Sequence, residues 1–250
     1  MDGTTMWVFG CLAAFAVGMG KGGVPVITAI AVPLMSLQMS PVTAAGILLP
    51  VYVMADMFGL FAYRKNYHAK VLKLMLIALP IGVLIGYFTA SYISDAGIAI
   101  VVGVIGAAFA LSAILGQKKP KEPRPAHTGK GLFWGTISGF TSFVSHAGAT
   151  PFQIYALPLG MDKMTFAGTM VIAFAYINAI KLIPYYMLGQ LSVQNLQTAA
   201  FLMLPALAGV FSGINLVKWM PEKQFFQLIV WALLLLSLRL IWSGATSLMV

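Results

Sequence analysis

Acidic side chains are almost missing from this chain. Its 250 residues hold 6 Asp or Glu against 15 Lys or Arg, and charged residues together make up 8%. A soluble domain carries about 25%, so water is excluded as the main solvent. So few acids leave little for acid–base catalysis, and there is no Cys/His metal spacing, phosphate-cradling loop or HExxH pair. The expectation is therefore no enzyme, no metal and no cofactor. Cysteine is reduced to Cys11, which excludes an internal disulfide and reads as a small apolar residue rather than a reactive thiol. No water-facing module gathers the basic residues, so the net charge of +9 is not a nucleic-acid footprint.

What is abundant is apolar: 60% of the residues, in segments near 5–19, 23–38, 42–63, 71–91, 97–116, 131–145, 151–161, 164–187, 194–217 and 223–243. A bilayer core of about 30 Å needs about 20 helical residues. The expected class is an all-α polytopic membrane protein. The first run, Met6 to Gly18, lacks the basic flank of a signal peptide and is read as part of the mature protein.

Two pairs of segments are too short to span singly and share a Gly/Pro break: 5–19 with 23–38, and 131–145 with 151–161. Each pair reads as a re-entrant hairpin whose short arms reach only part of the way, followed by three full spans. The halves also match. Gly22 and Pro25 fall on Gly148 and Pro151 at an offset of 126, Asp56 on Asn178 at 122, and Pro80 on Pro205 at 125. We expect a first repeat over 1–117, a basic Pro-rich linker over 118–130, and a second repeat over 131–250. An odd number of crossings per repeat makes the second repeat inverted. Cytoplasmic loops then hold 12 of the 15 basic residues: Arg64, Lys65, Lys70, Lys73, Lys118, Lys119, Lys121, Arg124, Lys130, Lys163, Lys218 and Lys223. The outer loops hold none, as the positive-inside rule asks, and both termini fall outside. Parallel halves would put Lys218 and Lys223 outside.

The chemistry gathers at the breaks. Gly18-Met19-Gly20-Lys21-Gly22-Gly23-Val24-Pro25 places one ammonium among glycines, and Ser145-His146-Ala147-Gly148-Ala149-Thr150-Pro151 opens the second half. Backbone groups freed inside a membrane need protein or a water-filled cavity. If the second arm of each hairpin starts at its break, its positive end and bare N–H groups point to mid-membrane. Two such starts, tip to tip, would make an anion site. The competing reading is close helix packing by small residues. Lys21 either neutralises an anionic solute or snorkels to water. Lys181 has the same two readings, whereas Arg239, near the end of the last span, reads as snorkelling. His146, beside Ser145 and Thr150, either donates to an oxyanion or carries a proton, or is a hydrogen-bonded structural histidine. Asp56 either balances Lys21 or takes part in proton coupling, and Asn178 is its counterpart. The candidate substrate-binding set is Gly20, Lys21, Gly22, Gly23, Ser145, His146, Gly148, Thr150, Asn178 and Lys181.

These two breaks, with the duplicated halves and the basic linker, resemble the TauE/SafE sulfite exporter family, within the larger toluenesulfonate uptake permease group. The resemblance runs over nearly the whole chain. The family's first motif falls on Gly18, Gly20, Gly22, Gly23 and Pro25, and its second on His146, Gly148 and Pro151. Many members carry a small residue where Lys21 stands, which implies a different substrate or one more charge in the site. The resemblance implies a permease of the bacterial inner membrane that moves sulfite or a small organosulfonate, usually outwards. The partners are then that solute and the lipid bilayer, and a homodimer stays open beside a monomer. Alternatives are an anion channel, an uptake permease for another oxyanion, and a non-transporting membrane scaffold.

Overall fold

Proline, serine and aspartate set where the helices begin. In the computed structural model, which describes residues 3–28, 30–89, 95–115, 123–144 and 147–248, Ser40 accepts from the Thr43 amide at 3.2 Å and Pro41 opens Pro41–Tyr63 (α4). Ser192 caps Val193–Trp219 (α10) in the same way through the Asn195 amide, and Asp162 Oδ1 accepts from Met164 and Thr165 at the start of Lys163–Met187 (α9). Such caps satisfy N–H groups that a helix cannot pair internally. The remaining helices are Gly3–Lys21 (α1), Pro25–Thr28 (α2), Ala31–Ser36 (α3), Ala69–Thr89 (α5), Asp95–Leu115 (α6), Thr128–Val144 (α7), Ala149–Ala156 (α8) and Glu222–Leu248 (α11), with a 3-10 turn at Leu157–Leu159. Among the described residues there are no strands.

Among the described residues, five helices are long and apolar enough to cross a membrane: α4, α5, α9, α10 and α11. The sixth span read from the sequence, 97–116, forms α6, whose described apolar run Ala99–Leu115 is shorter. Large apolar side chains face outward along these helices, including Phe61, Phe88, Phe201, Leu204 and Trp242, while Lys21, Asp56, Asn178 and Lys181 are buried. That inversion of the soluble pattern fits a lipid solvent. The chain is an all-helical, multi-pass membrane protein.

The helices form two compact units, and each takes elements from both halves of the sequence. Unit 1 comprises residues 1–67 and 167–220. Here α1 lies along α10, α10 along α4, and α2 and α3 fold back on α1. Ala13, Ala14, Val17, Leu48, Val51, Leu202 and Ala206 fill its core. The α1–α10 crossing is close because glycines form it. A Cβ on Gly18 would overlap the Ala206 carbonyl, and one on Gly209 would overlap that of Phe15.

Unit 2 comprises residues 68–166 and 221–250. In it α7 lies along α5, α11 along α6, and α8 touches α6, α7 and α11. Gly82 and Gly139 again bring two backbones together, Gly82 against Thr136 and Phe140, Gly139 against Leu79. Phe166 stacks edge-on against Phe152, Phe225 and Phe226 at centroid distances of 5.6–6.2 Å. Thus α1 packs on α10 in unit 1, and α7 on α5 in unit 2.

Candidate functional site

The first break both ends one helix and begins the next, α1 stopping at Lys21 and α2 starting at Pro25. Gly23 adopts φ +107°, the Val24 amide reaches back to the Met19 carbonyl at 3.2 Å, and the Gly23 amide to Gly20 at 3.1 Å. This pair of bonds is a Schellman stop, which needs glycine at the left-handed position. The Gly22 amide is taken by Gly18 at 2.8 Å. The amides of Gly22, Gly23 and Val24 are therefore not bare, as the sequence reading had them. The first arm is one continuous helix to Lys21, and its apolar run Thr5–Lys21 is among the shorter ones, as the sequence reading expects. The returning arm, by contrast, breaks into α2 and α3, of four and six residues. Lys21 occupies the last turn of α1, where the negative end of the helix favours an ammonium.

Around Lys21 the interior of unit 1 is polar. Its Nζ lies 2.7 Å from Asp56 Oδ1 and 5.2 Å from the centroid of the Tyr52 ring. Asn178 Nδ2 donates to Asp56 Oδ2 at 2.7 Å, so the two positions matched between the halves touch. Lys181, one turn on from Asn178, is 1% exposed, against 6% for Lys21 and 3% for Asp56. It interacts electrostatically with both. Burial of this depth removes the snorkelling reading for Lys21 and Lys181. Arg239 belongs to unit 2.

The carbonyl of Gly22 is held as well, by a hydrogen bond of 2.7 Å from the Tyr63 hydroxyl. Gly59 gives the break room, since a Cβ there would lie 2.7 Å from the Lys21 carbonyl oxygen and 2.8 Å from Val171. Tyr52, Asp56, Gly59 and Tyr63 fall at i, i+4, i+7 and i+11 on α4, and Asn178, Lys181 and Tyr185 at i, i+3 and i+7 on α9. These are stripes along single helix faces. The tyrosines and Gly59 were missed in the sequence, although the stripe spacing could have shown them. Replacing Tyr63 by Phe should leave the Gly22 carbonyl unsatisfied and lower stability by about 1–3 kcal/mol, read from thermal unfolding in detergent.

The second break belongs to unit 2. Ser145 and His146 lie outside the described residues. Gly148 is buried, its carbonyl accepts from Ser138 Oγ at 2.6 Å, and α8 begins directly after it without a side-chain cap. Thr150 and Pro151 form the first turn of α8, both buried. Here too the second arm starts at the break, as the sequence reading expects. Among the described residues no group of three or more His, Cys, Asp or Glu could hold a metal ion.

A family model described as "Sulfite exporter TauE/SafE" matches residues 6–240. The chain belongs to the TauE/SafE family. No curated protein and no solved structure matches it. The family match takes in both breaks and every residue of the Lys21–Asp56–Asn178–Lys181 cluster, so this buried polar site lies within a sulfite-exporter-type membrane protein.

Proposed function

We propose that this chain is a secondary permease that exports sulfite or a small organosulfonate across a bacterial inner membrane by alternating access. The observation that supports it most is the charge of the unit 1 cluster. Unit 1 buries two lysines, Lys21 and Lys181, and Lys21 pairs with Asp56, the one acidic residue among the described residues of that unit. A buried charge is costly unless balanced, and a passing anion would complete the balance. Lys21 and Lys181 supply the attraction, Asn178 a hydrogen bond, and Gly20, Gly22 and Gly23 the narrow helix end. Asp56 holds Lys21 when no solute is present and is the candidate for proton coupling. In unit 2, Ser145, His146, Gly148 and Thr150 are proposed as a separate set of solute-binding residues.

We read the halves 1–117 and 131–250 as inverted copies joined by the linker 118–130, with both termini on the outer side. The reciprocal packing of α1 on α10 and α7 on α5, and the Asp56–Asn178 contact, support this. Export suits an inside-negative cell, since each negative charge leaving gains about 2.3 kcal/mol per 100 mV.

The test is flux in proteoliposomes loaded with sulfite or a short sulfonate. Lys21→Ala and His146→Ala are each expected to reduce flux by about tenfold or more, equivalent to losing one good polar contact. Unchanged flux in both variants would remove the site assignment. A protein that moves none of these anions would remove the transport reading.

A further inference from the structure

Unit 2 contains a second set of polar groups that the packing leaves unanswered. Gln153 on α8 is 0% exposed, and neither its Oε1 nor its Nε2 has a hydrogen-bond partner. Ser237 Oγ on α11 is in the same condition, also at 0% exposure. A Cβ placed on Gly106 of α6 would meet both Ser237 Oγ and, at 2.9 Å, Thr150 Cγ2. The Ser237 hydroxyl is thereby brought to the first turn of α8. Thr150 and Gln153 stand one turn apart on α8, on neighbouring positions of its surface.

Buried polar groups are paired in the great majority of cases, and each exception needs a reason. Inside a membrane the reason is stronger, because bulk water is not at hand to satisfy them. Helices α6, α8 and α11 meet at Gly106, Thr150 and Ser237, and the amide with two open ends stands one turn further along α8. We propose that Thr150, Gln153 and Ser237 form a neutral subsite for the monoprotonated form of a small oxyanion, a bisulfite-type monoanion carrying one O–H. The inference rests on the transport reading and gives it a chemical preference.

The preference follows from the amide. Its Nε2 donates and its Oε1 accepts, so a complementary ligand must do both. A singly protonated oxyanion does: its O–H donates to Oε1, while its other oxygens accept from Nε2 and from the Ser237 hydroxyl. A fully ionised dianion has acceptors only and would set its charge against the Oε1 lone pairs. Both ends of the amide are open, so the conclusion holds whichever way the amide is turned. The subsite itself carries no charge. The charged residues on the helices around α8 are Lys130 on α7, Asp95 at the start of α6, and Glu222, Lys223 and Arg239 on α11.

Thermal unfolding of the purified full chain tests this. Sulfite is added at an acidic pH, where the monoanion prevails, and at an alkaline pH, where the dianion does; sulfate serves as the oxyanion without an O–H. Wild type is expected to be stabilised at about tenfold lower sulfite concentration on the acidic side, and least by sulfate. Gln153→Leu is expected to melt higher than wild type without solute, since an apolar side chain of similar size replaces an unpaired amide. The same variant should lose the preference for the monoanion. Ser237→Ala, a smaller change, should shift both readings in the same direction. Variants that melt lower yet keep the preference would show a structural network, or an ordered water only, and overturn the subsite. A wild type that no sulfite form stabilises would overturn the transport reading beneath it.

Discussion

Lys21→Met should lower the unfolding free energy by about 3–5 kcal/mol, the usual cost of removing one member of a buried ion pair. The cause is what remains. Asp56, 3% exposed, would keep only the 2.7 Å hydrogen bond from Asn178 and the more general attraction of Lys181. The double variant Lys21→Met/Asp56→Asn removes both charges of the pair but leaves the buried Lys181 without a carboxylate, so it is expected to recover only part of the loss. Flux should not return with the stability, since the ammonium that attracts the solute is still gone. Unfolding in denaturant read beside proteoliposome flux separates the two. A single variant within about 1 kcal/mol of wild type would mean that the pair does not behave as buried.

Gly18→Leu should prevent unit 1 from assembling. The new Cβ would fall on the Ala206 carbonyl and lie 2.8 Å from the Val210 nitrogen, and neither is a side-chain tip that can turn aside. Separating α1 from α10 would open the core in which Ala13, Ala14 and Val17 meet Leu202 and Ala206. Lipid chains are as apolar as leucine, so close contact is most of what joins membrane helices. A loss above about 4 kcal/mol is expected, enough to leave little folded protein. The control is Gly97→Ala on α6, where an added Cβ meets nothing within 4 Å. That change should be neutral or gain up to about 1 kcal/mol from helix propensity. Size-exclusion profiles of the two variants give the comparison, and a monodisperse Gly18→Leu protein would refute it.

Apolar length made most of the spans legible. The run 42–63 became α4 at Pro41–Tyr63, and 164–187 became α9 at Lys163–Met187, because a helix in lipid must satisfy its own backbone and cannot stop early. Lys21, Asp56, Asn178 and Lys181 stood out for the same reason, as polar residues among apolar ones. The bonding at the first break did not. Gly22-Gly23 followed by Pro25 marks both the end of α1 and the start of α2, and only the backbone bonds to Met19 and Gly20 show that the amides at the turn are taken. Tyr52, Tyr63 and Tyr185 were missed because a tyrosine inside a span looks like a lipid-facing aromatic until it is set on the stripe it shares with Asp56 or Lys181. The pairing of α1 with α10 and α7 with α5 is tertiary, and no local pattern encodes it.

The meeting of Asp56 with Asn178 has a consequence for the proposed duplication. When two copies are related by a half-turn, a residue can touch its own counterpart only if it sits on the rotation axis. An ancestor with aspartate in both copies would have set two carboxylates face to face there, and one with asparagine in both would have left Lys21 without an anion. Divergence at that single point gives one acceptor and one donor, so in the proposed duplication this contact is where the two copies had to stop being identical.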